Sequence, residues 1–429
     1  MSKHLRGTRR NGEKPLLRPL ASLAAIVLTA ACGSVLDVEA PGLIPADDLN
    51  DPSKAGLLVN GVIADFDCAY GAYVVLTGIM TDELEDATQT ASRWPYDQRD
   101  VRPDDSRYAT FGCEALGVYT PLSTARFTAE NALQLLQGWT DAQVTDRTSL
   151  IATSALYSAY AHLLLGEGFC SGVLLDGELE PGGEVQPADL FRKAEERFTL
   201  AISAAQAAGN TEILNAAYVG RARARLNLED GAGAVADATQ VPKDFVFNST
   251  AADAPSRREN RVYDQNNPAD GLVTTVAPAF RDLTFGGVAD PRVRVLDTGQ
   301  KSTTGLEIFA QTKYTTASAP IPLATGNEAQ LIIAEVQGGE TAVGIINELH
   351  AEAGLPAFSS SDPAEIQRQV SEERSRELFL QGHRLYDVRR LGLELTPAPG
   401  TPYRNGGVYG TDTCLPLPDV ERLNNPNIG

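Results

Sequence analysis

The densest chemistry in this sequence lies between Glu372 and Arg390. Glu372 and Arg376 stand four apart and are expected to pair on one helix face. Arg384 with Asp387, or His383 with Asp387, would pair on the next helix, and Gly382 between the two suits a left-handed helix end. A His–Asp pair is also the skeleton of acid–base catalysis. No nucleophile is set beside it in the sequence, so the segment reads as a structural corner and no catalytic residue is assigned. A second acidic group, Asp82, Glu83, Glu85 and Asp86, offers the carboxylate oxygens that Ca²⁺ prefers. It lacks the glycine turn of a calcium loop and reads as a solvated loop. After residue 31 only His162, His350 and His383 remain, and no CxxC occurs. Neither a metal site nor a cofactor is expected.

Binding chemistry has a better candidate. The run Arg93-Trp94-Pro95-Tyr96-Asp97-Gln98-Arg99, with Tyr108 and Phe111 nearby, holds one of only two Trp residues. Sugar C–H faces stack on Trp and Tyr while polar neighbours hydrogen-bond the hydroxyls. Trp94, Tyr96, Asp97 and Tyr108 are therefore the candidate ligand residues. Tyr263 and Tyr314, in a later loop-rich stretch, are weaker candidates. A Trp94 buried as a loop anchor fits the sequence equally well. Trp139 follows a helix end at Gly138 and reads as packing.

The elements that must position these residues are mostly helices. Asp51-Pro52 combines a capping side chain with a proline at the first helical position, and Ala55, Leu58, Val62 and Phe66 fall on one face. Thr120-Pro121 opens another helix, with Leu122, Ala125, Ala129, Ala132 and Leu136 on its stripe. Further helices are expected at about 146–165, 187–207, 211–228, 327–337, 341–353 and 363–380, the last opened by Asp362-Pro363. Short strands are expected at Val246-Phe247, Arg292–Leu296 and Ile308–Tyr314. Residues 240–325 otherwise read as a loop-rich insertion, dense in Asp, Asn, Pro, Gly and Thr. Small residues recur where helices would cross: Ala155, Ala159 and Ala161; Ala216, Ala217, Ala222 and Ala224; Ala329 and Ala334. That is how tetratricopeptide-like hairpins approach closely, and 187–209 followed by 211–228 is the clearest hairpin. No fixed repeat period is present, so an alanine-rich helical bundle is the plainer alternative. The fold class expected is mainly α, with tetratricopeptide-like helix pairs and a few short strands in the insertion.

The N-terminus speaks to location. Six basic residues precede a 12-residue apolar run, Leu20–Ala31, which ends in small residues directly before Cys32. This reads as a signal peptide over 1–31, with Cys32 as a lipidated first mature residue and 32–50 as an extended tether. Several acyl chains on one cysteine would anchor firmly. No later segment reads as apolar enough to cross a membrane. Without residues 1–31 the chain has 30 Lys+Arg against 55 Asp+Glu. So acidic a surface argues against nucleic-acid binding. Four cysteines remain, which in an exported chain read as disulfides. Three pairings are open. Cys68–Cys113 is expected because it would close a local loop around the aromatic run, and Cys170–Cys414 because it would tie the tail to the helices.

Four segments together resemble the SusD/RagB-like family of outer-membrane nutrient-uptake lipoproteins. They are Leu36-Asp37-Val38-Glu39-Ala40-Pro41 running on to Asn50-Asp51-Pro52; Asp290-Pro291-Arg292-Val293 followed by Lys313-Tyr314, Ile321-Pro322-Leu323, Glu328 and Ala334-Glu335; Ile346 to Pro356 leading into 372–378 and 382–390; and Leu415-Pro416-Leu417-Pro418 closing on 424–427. Gln381 and His350 depart from the family pattern, and Trp is scarce. The resemblance implies one SusD-like domain over 51–429. It also implies a non-enzymatic protein, lipid-anchored at the outer membrane and facing the exterior. Such a protein would bind an oligosaccharide, a peptide or another nutrient and pass it to a SusC-like TonB-dependent transporter. Two other classes make different demands: a tetratricopeptide scaffold for envelope assembly would need a regular groove and no long insertion, and a secreted hydrolase would need turnover.

Overall fold

The computed structural model describes residues 50–113, 116–253, 257–267 and 271–428. The expected signal peptide, Cys32 and nearly all of the tether lie outside the described residues. The first helix, α1 (Ala55–Ile79), is entered through a 3₁₀ turn in which the Asp51 carboxylate accepts the Ser53 N–H at 2.9 Å. Its apolar stripe holds only as far as Phe66. From Phe66 to Ile79 every residue is buried, so the one-sided pattern vanishes and the helix runs well past the end the periodicity suggests. This changes one expectation. The stretch Pro52–Ile79 is long and apolar enough by composition to cross a membrane, yet 83% of its most apolar window is buried in the protein, as befits a core helix.

After the short α2 (Trp94–Gln98), the helices α3 (Tyr119–Gly138), α4 (Arg147–Gly168), α5 (Pro187–Ala208), α6 (Thr211–Asn227) and α7 (Gly231–Ala238) each pack on their predecessor from α4 onward, while α3 lies on α1. The one-turn α8 (Arg261–Gln265) leans on α1. Next come α9 (Gly326–Gln337), α10 (Gly339–Ala353), α11 (Pro363–Glu377), α12 (Arg384–Leu391) and α13 (Asp419–Asn424); α9 packs on α6, α7, α10 and α11. The alanines noted at the crossings are all buried. Gly220 of α6 shows why small residues stand there: a Cβ on it would lie 2.2 Å from Cζ of Phe198 on α5. The Phe198 ring thus rests on bare backbone, edge-on to Tyr160 of α4 at 4.9 Å between centroids. The Tyr160 hydroxyl in turn donates to the Ala216 carbonyl at 2.9 Å.

One carboxylate ties three of these helices. Glu130 of α3 accepts Arg197 Nε and Nη2 of α5, both at 2.7 Å, and the Ser158 hydroxyl of α4 at 2.6 Å. Burial alone would raise its pKa, but the Arg197 hydrogen bonds, nearby positive charge and Ser158 together hold it down at about 2. A depressed carboxylate stabilises the fold above its unfolded pKa, and that contribution is lost as pH falls toward about 2. Glu130→Gln should therefore flatten the acid limb of stability. Urea unfolding at pH 5 and pH 2.5 should show wild type losing up to about 3 kcal/mol more than the variant across that window. Parallel losses would show that Glu130 is not held as described.

The insertion is more ordered than its composition suggests. Strand β4 (Val246–Ser249) pairs antiparallel with β8 (Ile321–Thr325), closing the two ends of the insertion on each other. Between them, β5 (Thr274–Val276) pairs with β1 (Leu84–Asp86), and β6 (Val295–Lys301) forms a hairpin with β7 (Glu307–Gln311). A separate hairpin, β2 (Gly172–Leu175) with β3 (Pro181–Val185), follows α4. The expected strand at Arg292–Leu296 starts later, at Val295. Arg292 is drawn instead to Asp290 and Glu373, at 2.7 and 2.6 Å, and the chain extends only beyond that anchor.

Candidate functional site

The acidic run 82–86 is not a solvated loop. All four carboxylates are buried, and each is answered by donors from elsewhere in the chain. Asp82 takes Arg384 Nε and Nη2, both at 2.8 Å. Glu83 accepts the Leu380 N–H at 2.8 Å, and burial pushes its pKa up to about 7. Glu85 faces Arg281 at 3.5 Å, and Asp86 bonds Arg93 and the Thr88 hydroxyl. Glu85 and Asp86 sit in β1, and Asp82 and Glu83 in the turn before it; all four are buried, and the arginines and the Leu380 N–H offset an otherwise prohibitive desolvation. Among the described residues no group of three or more His, Cys, Asp or Glu is arranged to hold a metal ion.

The aromatic run forms the short helix α2, ended by Arg99 in the left-handed region (φ 58°). This turns Tyr96 and Asp97 inward. The Tyr96 hydroxyl accepts the Tyr108 N–H at 3.2 Å, and the Tyr108 hydroxyl donates to the Pro416 carbonyl at 3.1 Å. Asp97 accepts the Tyr403 hydroxyl at 3.0 Å, the Asp86 N–H at 3.2 Å and the Arg404 guanidinium, and burial pushes its pKa up to about 7. Tyr314, 4% exposed, donates to the Leu380 carbonyl at 2.9 Å. Tyr96, Asp97, Tyr108 and Tyr314 are thus spent on internal ties and present no face to a ligand. Among the candidates, Trp94 and Tyr263 stay partly exposed, Tyr263 while packing against the core. Trp94 is steadied by its own Nε1, which donates to the Thr88 carbonyl at 3.4 Å. Gln89, Thr90 and Ser92 are exposed beside it in sequence; Arg107 bonds Ser92, and Gln89 donates to the Thr303 carbonyl at 2.9 Å. Phe111, 88% exposed, closes the same segment. Cys68 of α1 is bonded to Cys113, with Cα atoms 5.7 Å apart. The result is a partly exposed indole in a surface segment rich in hydroxyl, amide and guanidinium groups.

The corner at 372–390 pairs differently from either arrangement first expected for its second helix. Glu372 and Arg376 do meet, at 3.3 Å. Asp387, however, takes Arg374 and Arg390, each at 3.0 Å, while Arg384 reaches back to Asp82. His383 does not bond Asp387. It is buried with Nε2 3.3 Å from Arg223 Nη1, and burial together with the Arg223 and Arg374 charges pushes its pKa well down. A neutral imidazole against a guanidinium is a packing group, and the acid–base dyad is not assembled. Sequence reading missed this partner because Arg223 lies 160 residues away, on α6.

Stacked helix pairs, with an insertion whose ends are zipped by one ladder, define a helical-repeat scaffold. Residues 328–413 match the SusD family. Among solved structures, a SusD superfamily protein from Bacteroides vulgatus ATCC 8482 superposes with a TM-score of 0.69 at 17% identity, covering 88% of this chain and 98% of that one. A SusD-like carbohydrate binding protein from Bacteroides fragilis NCTC 9343 gives 0.66 at 15% identity, covering 88% and 99%. A laminarin binding SusD-like protein gives 0.65 at 17% identity, covering 87% and 98%. No curated protein sequence matches the chain. The chain thus has the fold of SusD-like proteins, and its segment 328–413 matches the SusD family.

Proposed function

We propose that this chain is a non-enzymatic, lipid-anchored protein of the outer surface that captures nutrient, foremost an oligosaccharide, and hands it to a SusC-like TonB-dependent transporter. The observation that carries the reading is Trp94: a partly exposed indole, fixed through Nε1, in a segment whose exposed neighbours bear hydroxyls and amides. An apolar face bordered by hydrogen-bonding groups is what a sugar ring requires. The carbohydrate- and laminarin-binding neighbours of like fold support the same ligand class. Trp94→Ala should weaken binding of laminarin, or of whichever neutral oligosaccharide binds from a purified panel, by about 1–3 kcal/mol. Its melting temperature should hardly move. A sharp fall in melting temperature with unchanged affinity would make Trp94 a packing anchor and shift attention to Tyr263.

Anchoring rests on Cys32, which directly follows the small residues that end the apolar run. Metabolic palmitate labelling should mark the wild type and leave Cys32→Ser unlabelled. Equal labelling of both would remove the anchor from this reading.

A further inference from the structure

The geometry points to a second ligand site, separate from the Trp94 surface and independent of it: a cleft that binds one carboxylate group of a small ligand, with Lys313 as the counter-charge. The cleft, of about 580 Å³, lies where the turn leading into β4, the start of α9 and the turn after α11 come together. Its volume suits a sugar acid or a dipeptide.

The cations that line it are not equivalent. Arg292 is committed to Asp290 and Glu373, and Lys243 to Glu348. Lys313 alone among them has no carboxylate within ion-pair distance among the described residues. Its Nζ donates one hydrogen bond, to the Phe379 carbonyl at 2.8 Å. Nζ also lies 5.9 Å from the centroid of the Tyr314 ring, a weak contact that takes up none of the other two N–H donors of the ammonium in a hydrogen bond. Glu377, which also lines the cleft, is occupied by the Asn327 amide at 2.7 Å and by Arg292 at 3.6 Å. Burial pushes the Lys313 amine down to about 8, against the pull of Glu377 and Glu83. A part-desolvated ammonium without a counter-ion is costly, and a carboxylate arriving in the cleft offsets that cost with charge-assisted hydrogen bonds.

The surroundings limit what else the ligand carries. Asp244 and Glu352 line the same cleft, exposed and without ion pairs among the described residues. They would repel a polyanion and tolerate a neutral or cationic body behind a single carboxylate. Phe245 adds an apolar wall. Two sources supply that chemistry, a uronic acid and the free C-terminus of a short peptide.

Calorimetry and saturation-transfer NMR on the full chain can separate them, using glucuronate against glucose and Ala-Ala against Ala-Ala-amide. At least one carboxylate probe should bind at least tenfold more tightly than its neutral counterpart, and which one does identifies the source. Lys313→Met should abolish the difference and Lys313→Arg retain part of it. In wild type, the Lys313 Cε resonance should titrate at higher pH with the ligand bound. If Lys313→Met fails to fold, Val246→Trp decides: Val246 is 50% exposed and lines the cleft, so an indole there should block the probe without disturbing the core. Equal affinity for charged and neutral probes, binding of neither carboxylate, or wild-type binding by the folded Lys313→Met variant or by Val246→Trp would overturn the proposal.

Discussion

Replacing Arg223 with Met should lower the unfolding free energy by about 3–5 kcal/mol. Arg223 is 4% exposed on α6 and grips both Glu167 carboxylate oxygens on α4, one of them at 2.8 Å. Its Nη1 also lies 3.8 Å from Glu328 of α9. One guanidinium therefore answers two buried carboxylates, and Glu328, the less well paired, is pushed up to about 7 by burial despite the cation. Methionine fills much of the volume but leaves Glu167 without its guanidinium and Glu328 with only the pull of Arg374. They escape by taking protons, so the deficit should be larger at pH 8 than at pH 5. The sign follows from linkage: a carboxyl whose folded pKa is raised destabilises progressively as pH climbs above its unfolded value. Adding Glu167→Gln to the variant should recover part of the loss, because an amide needs no counter-ion. Urea unfolding at both pH values tests this. A deficit under about 1 kcal/mol, or one independent of pH, would mean that the cluster is solvated rather than buried.

Removing the Cys170–Cys414 bond by a double change to Ala should cost about 2–4 kcal/mol. The bond joins residues 244 apart, with Cα atoms separated by 5.2 Å. Around it the Cys170 N–H donates to the Leu415 carbonyl, and the Leu415 N–H to the Gly168 carbonyl, both at 2.8 Å. Leu415 and Leu417 follow into the core with no exposed surface. The Cys68–Cys113 bond spans only 45 residues. Loop-closure entropy grows with the logarithm of length, so the longer bond should contribute about 1–2 kcal/mol more than the shorter. Unfolding of the two double-alanine variants gives the comparison, and non-reducing peptide mapping checks that each thiol pairs as stated. A larger loss from Cys68–Cys113, or free thiols in the map, would refute the assignment.

What could be read from the residues, and what could not, divides along local and non-local physics. Helix starts were legible because caps act within a turn: Asp51-Pro52 and Asp362-Pro363 stand at observed helix entries. The hairpin of α5 and α6 was legible because its stripe, its small residues and Gly209 at the turn all lie within one segment. The family resemblance was legible because motif order survives along the chain. Beyond Phe66 in α1 the residues carry no helical period, since burial on every side removes the contrast that a period needs. Charge partners were hidden as well. Asp82 meets Arg384 across 302 residues, and Asp387 chose Arg374 over the nearer His383. Nothing local ranks one arginine above another; the three-dimensional path of the backbone does. The same holds for the aromatics. Composition drew attention to Trp94, Tyr96 and Tyr108 alike, but only the left-handed turn at Arg99 and the returning tail at Pro416 decided that the two tyrosines face the core while the indole keeps its surface. Side-chain type sets what a residue is able to bind, and tertiary packing decides which faces remain free to do so.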